Sequence, residues 1–338
     1  MAQPGEGTTE HQLLGAKVTA IVPCYNEAGA IAKVVADLKA AMPGMRVIVY
    51  DNNSSDNTAD VARKAGAEVR FEERKGKGNV VRRAFADIDS DIYMMIDGDD
   101  TYDAAALPAM VQTLLDGPYD HVLGVRTQPQ GSVSSYRPGH EAGNRMFNRI
   151  VSTLFGSQVS DMLSGYRVFS KRFVKSFPAM SHGFEIETEL TIHCMALRVP
   201  QKEVAVGFGD RAEGTISKLS TFKDGFKILS IIGKLLMYER PMLVHSIISA
   251  LLLFAGLAVG LPVVFEFFNT GLVPRLPSAV LAAGLVMLSA FIAGIGMITR
   301  ALKNNADEAR RMAYLRYEAP AYAPSTIPDV EERNDRVS

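Results

Sequence analysis

Residues 18–27 read V-T-A-I-V-P-C-Y-N-E: a short β-branched run, Val18–Val22, that stops in a polar tip, Pro23-Cys24-Tyr25-Asn26-Glu27. The pattern recurs downstream. Val47–Tyr50 runs into Asp51-Asn52-Asn53-Ser54-Ser55-Asp56, and Ile92–Ile96 runs into Asp97-Gly98-Asp99-Asp100. Together with Glu68–Phe71 these runs are predicted strands. Helical patterns lie between them, at Ala28–Ala41, Thr58–Ala65 and Asn79–Ile88, and Ser54, Ser55 and Asp56 supply N-cap chemistry for the second. Alternating strand and helix at this spacing predicts a mostly parallel sheet covered by helices. Ligands of such sheets sit outside the carboxyl ends of the strands, which is where the three polar tips fall. Any one tip reads as ordinary loop; three on one edge read as a ligand site.

Asp97-Gly98-Asp99 is the sharpest of them. Two carboxylates held close repel unless a cation or proton intervenes. Hard oxygen ligands suit Mg²⁺ or Mn²⁺, which keeps waters and bridges a substrate's phosphates. A D-x-D string alone is common on surfaces; after an apolar strand, with a Gly that admits a diphosphate, it is a metal–diphosphate signal. Lys75-Gly76-Lys77-Gly78, ahead of the helix at Asn79, offers phosphates a cation from Lys77 and backbone N–H donors around Gly78. It is not a P-loop, because the G-x-x-x-x-G-K-[ST] spacing is absent.

The formal net charge is −1, which gives no global attraction to nucleic acid. The charge is segregated, however. Residues 87–120 hold nine Asp and no Lys or Arg, whereas residues 121–175 hold eight Lys and Arg against Glu141 and Asp161. Arg145 and Arg149 fit one helix face, but Arg126 directly follows a strand and Arg167 lies in Ser164-Gly165-Tyr166-Arg167. An acidic metal side opposite a basic side suits a metal-bound donor meeting an anionic acceptor. Cys24 and Cys194 form neither a disulfide framework nor a zinc spacing.

Two uncharged runs near the C-terminus, Met242–Phe265 and Leu276–Thr299, are 24 residues each. As helices they would reach ~36 Å, enough to cross a hydrocarbon core of ~30 Å. Lys223, Lys227, Lys234 and Arg240 precede the first, Arg300, Lys303, Arg310 and Arg311 follow the second, and the loop between has one Arg. Positive-inside bias predicts both termini and the catalytic domain in the cytoplasm, at the inner or plasma membrane. Residues 1–16 carry Glu6 and Glu10 with no apolar core, so they read as a tail and not as a signal peptide. Phe222, Phe226, Leu229, Ile232 and Leu236 share one helical face, a basic amphipathic helix suited to the interface. The expected organisation is therefore a tail at 1–16, a catalytic domain at 17–218 and an interfacial helix at 219–240. Two spans within 241–301 and a cytoplasmic tail at 302–338 complete it. The paired spans also offer a surface for homo-oligomer formation.

Taken in order, V-T-A-I-V-P-C-Y-N-E, D-N-N-S-S-D-N-T, K-G-K-G-N, the D-G-D of Asp97–Asp99, S-D-M-L-S-G-Y-R and D-R-A-E-G-T-I-S-K-L resemble family 2 glycosyltransferases of the GT-A fold. More narrowly they resemble the branch of dolichol-phosphate mannose synthase and bacterial polyprenyl-phosphate glycosyltransferases, over residues 17–240. The resemblance implies an α/β fold, a Rossmann-like mixed sheet flanked by helices, with the interfacial helix and transmembrane hairpin appended. It implies that Pro23, Tyr25, Asn26, Glu27 and Asp51 line a nucleotide pocket. Asp97 and Asp99 would hold the metal and donor diphosphate, while Arg126, Arg137, Ser164 and Arg167 meet phosphates. Arg211, Ser217 and Lys218 would lie on the loop before the interfacial helix, and Asp161 would orient the acceptor. Asn52 stands where the base-binding motif usually has a second Asp. Thr101 stands where relatives often carry Gln or Glu beside the metal, so water would complete the coordination.

The expected reaction is inverting transfer of a hexose from a UDP- or GDP-sugar to polyprenyl phosphate (undecaprenyl or dolichyl), in cell-envelope glycan or glycoconjugate synthesis. A processive synthase of the same fold carries a Q/R-x-x-R-W signature, and this chain has no Trp. Two other readings compete: a glycolipid synthase acting on diacylglycerol, whose neutral hydroxyl needs a general base, and a non-catalytic membrane scaffold that binds nucleotide-sugars.

Overall fold

The computed structural model describes residues 15–127, 160–183, 185–209, 237 and 240–320. The chain divides into two compact units, residues 1–219 with 310–338, and residues 220–309.

In the first unit the predicted alternation is present. Strand β1 (Val18–Cys24) leads to helix α1 (Ile31–Ala41), β2 (Arg46–Asp51) to α2 (Thr58–Lys64), and β3 (Glu68–Phe71) to α3 (Lys77–Asp87). Then follow β4 (Ile92–Met95), a single 3₁₀ turn at Ala104–Ala106, α4 (Leu107–Leu115), β5 (His121–Thr127), β6 (Arg167–Ser170), α5 (Lys171–Ser176), α6 (Ile186–Leu197) and β7 (Gln201–Gly207). The sheet order is β3-β2-β1-β4-β6-β5-β7. β1 pairs parallel with β2 and β4, β2 with β3, and β5 with β7, while β6 is antiparallel to both β4 and β5. Among the described strands β6 alone runs backwards. The carboxyl ends of β1, β2, β4 and β5 and the entry to β6 therefore share one edge.

Both sheet faces are covered, so the central strands are apolar throughout and not alternating. On one face Ala20, Val22, Val49 and Met94 pack under Ile31, Val35 and Leu38 of α1 and Met110, Val111 and Leu114 of α4. On the other, Ile21, Ile48, Tyr93, Met95 and Phe169 pack under Val80, Val81, Ala84 and Phe85 of α3 and Ile186 and Leu190 of α6. Neighbouring residues thus serve opposite cores, as the two-residue period of a strand requires. β1 runs two residues past the predicted end, because the β2 ladder continues to Cys24 against Asp51.

Helix α7 (Pro241–Thr270) belongs to the second unit, and α8 (Leu276–Leu315) begins there and ends, from Arg310, in the first; both are long and apolar enough to cross a membrane. Only 11% and 17% of their most apolar windows are buried, which separates them from core helices of a soluble protein. Helix α8 continues to Leu315, well beyond the predicted end at 299. Residues 301–315 are rich in strong helix formers (Ala, Leu, Lys, Glu, Arg), and Lys303 pairs with Asp307 one turn on at 2.5 Å. The segment read as the beginning of a tail is helical because nothing breaks it.

Candidate active site

The loops after β1 and β2 are fastened to each other. The Asn26 amide donates to Ser54 Oγ at 3.0 Å, that of Glu27 to Thr58 Oγ1 at 2.9 Å, and that of Ala28 to Asp56 Oδ2 at 3.2 Å. Asn26 Oδ1 in turn accepts from the Ser55 amide at 2.7 Å. Asn26, Asn53 and Asp100, one on each of the three strand-end loops, have φ of 57°, 69° and 58°. Asn and Asp tolerate this left-handed conformation better than other residues with a Cβ. Asp51 is buried beneath its loop and accepts from the Ser54 amide.

Asn52 gives a physical reason for departing from Asp. Its Nδ2 donates to the carbonyls of Glu72 and Arg74, at 3.0 and 2.7 Å, while its Oδ1 accepts from the Gly76 amide at 2.6 Å. A carboxylate cannot make the two donations. Asn52 holds the β3–α3 loop in place, and Lys75 of that loop lies over the Tyr25 ring at 5.3 Å.

The three aspartates after β4 diverge. Asp100 turns to Lys33 of α1 at 2.8 Å, and Asp99 Oδ1 accepts from Thr101 Oγ1 at 2.7 Å. Asp97 accepts from the Lys77 ammonium, which also reaches Glu187 Oε1 at 2.5 Å. Lys77 and Glu187 are both buried, and Glu187 Oε2 has no hydrogen-bond partner. Against the cost of burial, the charges of Asp97 and Glu187 raise the Lys77 pKa; burial raises that of Glu187, with Lys77 opposing. Gly98 has a different role from the one expected. A Cβ there would sit 2.4 Å from Cys24 Sγ, so the glycine is required by the packing of β4 on β1. Burial first, then the charges of Glu27, Asp51, Asp97 and Asp99, push the Cys24 thiol well up.

Lys77 is the first residue of α3, and Gly76 before it has φ +126°. The start of the helix presses on residues 181–183: the Gly78 amide donates to the Gly183 carbonyl at 3.1 Å, and a Cβ on Gly78 would lie 2.2 Å from the Ser181 carbonyl oxygen. The K-G-K-G glycines permit this approach, which carries Lys77 to Glu187 in the first turn of α6. The sequence motif points Lys77 at phosphate; in the structure its ammonium pairs with the carboxylates of Asp97 and Glu187.

Across the edge, Arg126 at the end of β5 forks onto Asp161, Nε to Oδ2 at 2.6 Å and Nη2 to Oδ1 at 2.7 Å, and lies over the Phe208 ring. Ser164 and Arg167, expected to meet phosphates, are fully buried. Ser164 Oγ donates to the Gly124 carbonyl at 2.6 Å. The Arg167 guanidinium donates to the carbonyls of Ser164 and Met162 and to Thr191 Oγ1, at 2.8, 2.7 and 2.9 Å. Burial pushes its pKa down to about 10. Arg167 thus braces the Met162–Ser164 turn from beneath. Gly165 in that turn is so near Asp97 that a Cβ would stand 2.5 Å from its Oδ2. Arg137, Arg211, Ser217, Lys218 and nearly all of the expected interfacial helix lie outside the described residues.

The donor set suits a divalent cation shared with a substrate. Among the described residues no group of three or more His, Cys, Asp or Glu could hold a metal by itself. Asp97 and Asp99 supply hard oxygens from two carboxylates, the usual protein share for Mg²⁺ when phosphates complete the shell. Glu187 was missed because it belongs to no motif. The available signal was an acidic residue on the same helix face as Thr191 and Cys194, both of which are buried.

Comparison with known proteins agrees with this geometry. The family described as Glycosyl transferase family 2 matches residues 19–177. Glycosyltransferase AglJ of Haloferax volcanii is 31% identical over 275 residues, covering 80% of this chain and 88% of that relative. Dolichyl-phosphate hexose transferase of the same organism is 32% identical over 220 residues, covering 65% of this chain and 94% of that one. Among solved structures, glucosyl-3-phosphoglycerate synthase of Mycobacterium tuberculosis, in complex with Mn²⁺, uridine-diphosphate and phosphoglyceric acid, has a similar fold. The TM-score is 0.54 at 21% identity, covering 68% of this chain and 84% of that one.

Proposed function

Because the chain belongs to glycosyl transferase family 2, we propose that it moves a hexose from a UDP- or GDP-sugar to polyprenyl phosphate by a single inverting displacement. One observation carries this reading: Asp97, Asp99 and the Lys77–Glu187 pair gather on one sheet edge of a chain that also has two membrane-length apolar helices. Similarity to a relative named for dolichyl-phosphate supports a lipid phosphate as acceptor. The two helices make the protein membrane-associated, and the cations flanking them favour a cytoplasmic catalytic unit with both termini on that side.

Asp97 and Asp99 are the residues that would hold Mg²⁺ or Mn²⁺, which when bound supplies charge stabilisation to the leaving diphosphate. The chain's own groups do the rest by orientation. The stapled loops at Asn26–Ala28 and Ser54–Thr58 shape the nucleotide side. Lys77 keeps Asp97 and Glu187 from repelling each other. Asp161, with both oxygens engaged by Arg126, would have to surrender that fork to accept a proton, which fits an orienting role better than that of a base. None is needed for this acceptor: a phosphate monoester has its second pKa near ~6 and is largely dianionic at neutral pH.

The test is full-length protein with undecaprenyl phosphate or diacylglycerol, Mg²⁺ or Mn²⁺, and a panel of nucleotide-sugars, with lipid products read by mass spectrometry. The expected product is a polyprenyl-phosphate hexose. Sugar moved only to diacylglycerol, or bound and never moved, overturns the proposal. Asp99→Ala should lower the metal-dependent rate by roughly three orders of magnitude, and unchanged turnover would reject the metal assignment.

A further inference from the structure

Resting on the assignment of Asp97 and Asp99 as metal ligands, we propose that Thr101 is a positioning residue for the metal and acts through Asp99, whose carboxylate it holds in one orientation. Thr101 and Asp99 are both buried, and Thr101 Oγ1 donates to Asp99 Oδ1 at 2.7 Å. A hydroxyl that donates to a carboxylate makes a charge-assisted bond, shorter and stronger than a neutral one. The β-branched side chain of threonine is stiff at χ1, so the hydroxyl brings little freedom of its own. Asp100, between the two residues, has φ 58° and turns the other way, to Lys33.

The backbone that carries Thr101 is fastened to the sheet. Its carbonyl accepts from the Gly209 amide at 2.8 Å, and the Asp103 amide donates to the Gly207 carbonyl at 3.1 Å. Between these two bonds Tyr102 bridges antiparallel to Phe208, so residues 101–103 run against the end of β7. The Tyr102 hydroxyl accepts from the Gly165 amide at 2.8 Å, and its ring meets Tyr166 and Phe208 edge to face, with centroids 5.6 and 5.2 Å away. The Thr101 hydroxyl therefore projects from an anchored segment toward a carboxylate at the tip of the β4 loop. Two carboxylates held close repel each other. Here each has its own restraint, the Lys77 ammonium on Asp97 and the Thr101 hydroxyl on Asp99. Partners of this kind orient metal ligands, and their loss is felt in metal affinity more than in the fold.

The test is Mn²⁺ binding by full-length protein in detergent, with UDP and with GDP, read from the electron paramagnetic resonance signal of free Mn²⁺. Nucleotide binding without metal is measured beside it. Thr101→Val keeps the shape and removes the hydroxyl, and it should weaken Mn²⁺ binding about 10–100-fold. Thr101→Ser keeps the hydroxyl and should bind Mn²⁺ like the wild type. Metal-free nucleotide binding should be the same in all three. If Thr101→Val does not fold, Thr101→Ala against Thr101→Ser makes the same comparison. Wild-type Mn²⁺ affinity without the hydroxyl overturns the proposal. So does an equal loss in Thr101→Ser, which would give the effect to the methyl group, or a parallel loss of metal-free nucleotide binding, which would mean a general distortion of the loop. Asp99→Ala separates this role from the metal assignment. If that variant binds Mn²⁺ as the wild type does, or the wild type binds none, the assignment fails and the role of Thr101 with it. If Asp99→Ala loses Mn²⁺ and Thr101→Val keeps it, only the role of Thr101 fails.

Discussion

Lys77 lies between the two carboxylates of Asp97 and Glu187, with Glu187 fully enclosed and its second oxygen unpartnered. Removing one member of a buried charge group costs more than removing the group, since what remains is an uncompensated charge. Lys77→Met should therefore destabilise the protein by about 3–5 kcal/mol, and adding Glu187→Leu should restore most of that loss. Thermal unfolding of the two variants in detergent decides it: equal losses would mean that Lys77 and Glu187 are not coupled. The same pair marks how far residues are legible from the sequence. Asp97 and Asp99 could be read because they follow an apolar strand directly, and strand ends of a parallel sheet share an edge. Glu187 could not, because its contact with Lys77 spans 110 positions and depends on two helix starts meeting. The motif points Arg167 at phosphate because it shows residue type and not burial; the buried guanidinium instead ties together the Met162–Ser164 turn.

At the scale of elements, alternation and apolar runs were enough to place β1–β4 and α1–α3, and two uncharged stretches were enough to place the hairpin helices. The reversal of β6 was not legible, since a four-residue strand, Arg167–Ser170, has the same composition in either direction. That reversal brings the 161–166 turn to Asp97. The junction of α3 with residues 181–183 was hidden too, although its glycines were visible as K-G-K-G. Gly78→Ala places a methyl 2.2 Å from the Ser181 carbonyl oxygen, which is backbone and cannot rotate away. Overpacking of this kind costs about 1–3 kcal/mol, and the displacement also moves Lys77 from Asp97. Gly29→Ala, with nothing within 4 Å, is the control. The expected result is reduced melting temperature and reduced transfer for Gly78→Ala, with both unchanged for Gly29→Ala. Wild-type behaviour of Gly78→Ala would show that the two segments are not in register as described.

For the whole molecule, a formal net charge of −1 conceals an acidic stretch at 87–120 and a basic stretch at 121–175. Folding also buries groups that would otherwise be charged. His121 stacks on Phe169 with ring centroids 5.0 Å apart, and burial, aided by the Arg167 charge, holds its pKa well below the ordinary value. Burial pushes His193 down to about 3. Both are neutral when folded and take a proton near pH ~6.5 when unfolded. Their contribution is therefore complete above that pH and declines as the pH falls through it. Unfolding free energy should drop by about 2–3 kcal/mol between pH 7.5 and 5.5 from the two together, and His193→Gln should roughly halve the drop. An unaltered slope in that variant would show that His193 has the same proton affinity folded and unfolded. The chain's later segment bears on the same unit, since Arg310–Leu315 of α8 group with the catalytic residues. Tyr314 is buried there, its hydroxyl donating to Asp120 Oδ2 at 2.7 Å beside the Arg172 fork, and its ring lies 4.7 Å from the Arg172 guanidinium. Asp120 is fully enclosed and cannot replace the lost donor with water. Tyr314→Phe keeps the ring and removes only that bond, at an expected cost of about 1.5–3 kcal/mol for a hydrogen bond to a charged group. Equal thermal unfolding of Tyr314→Phe and wild type would show that the end of α8 is not anchored to the catalytic unit through Asp120.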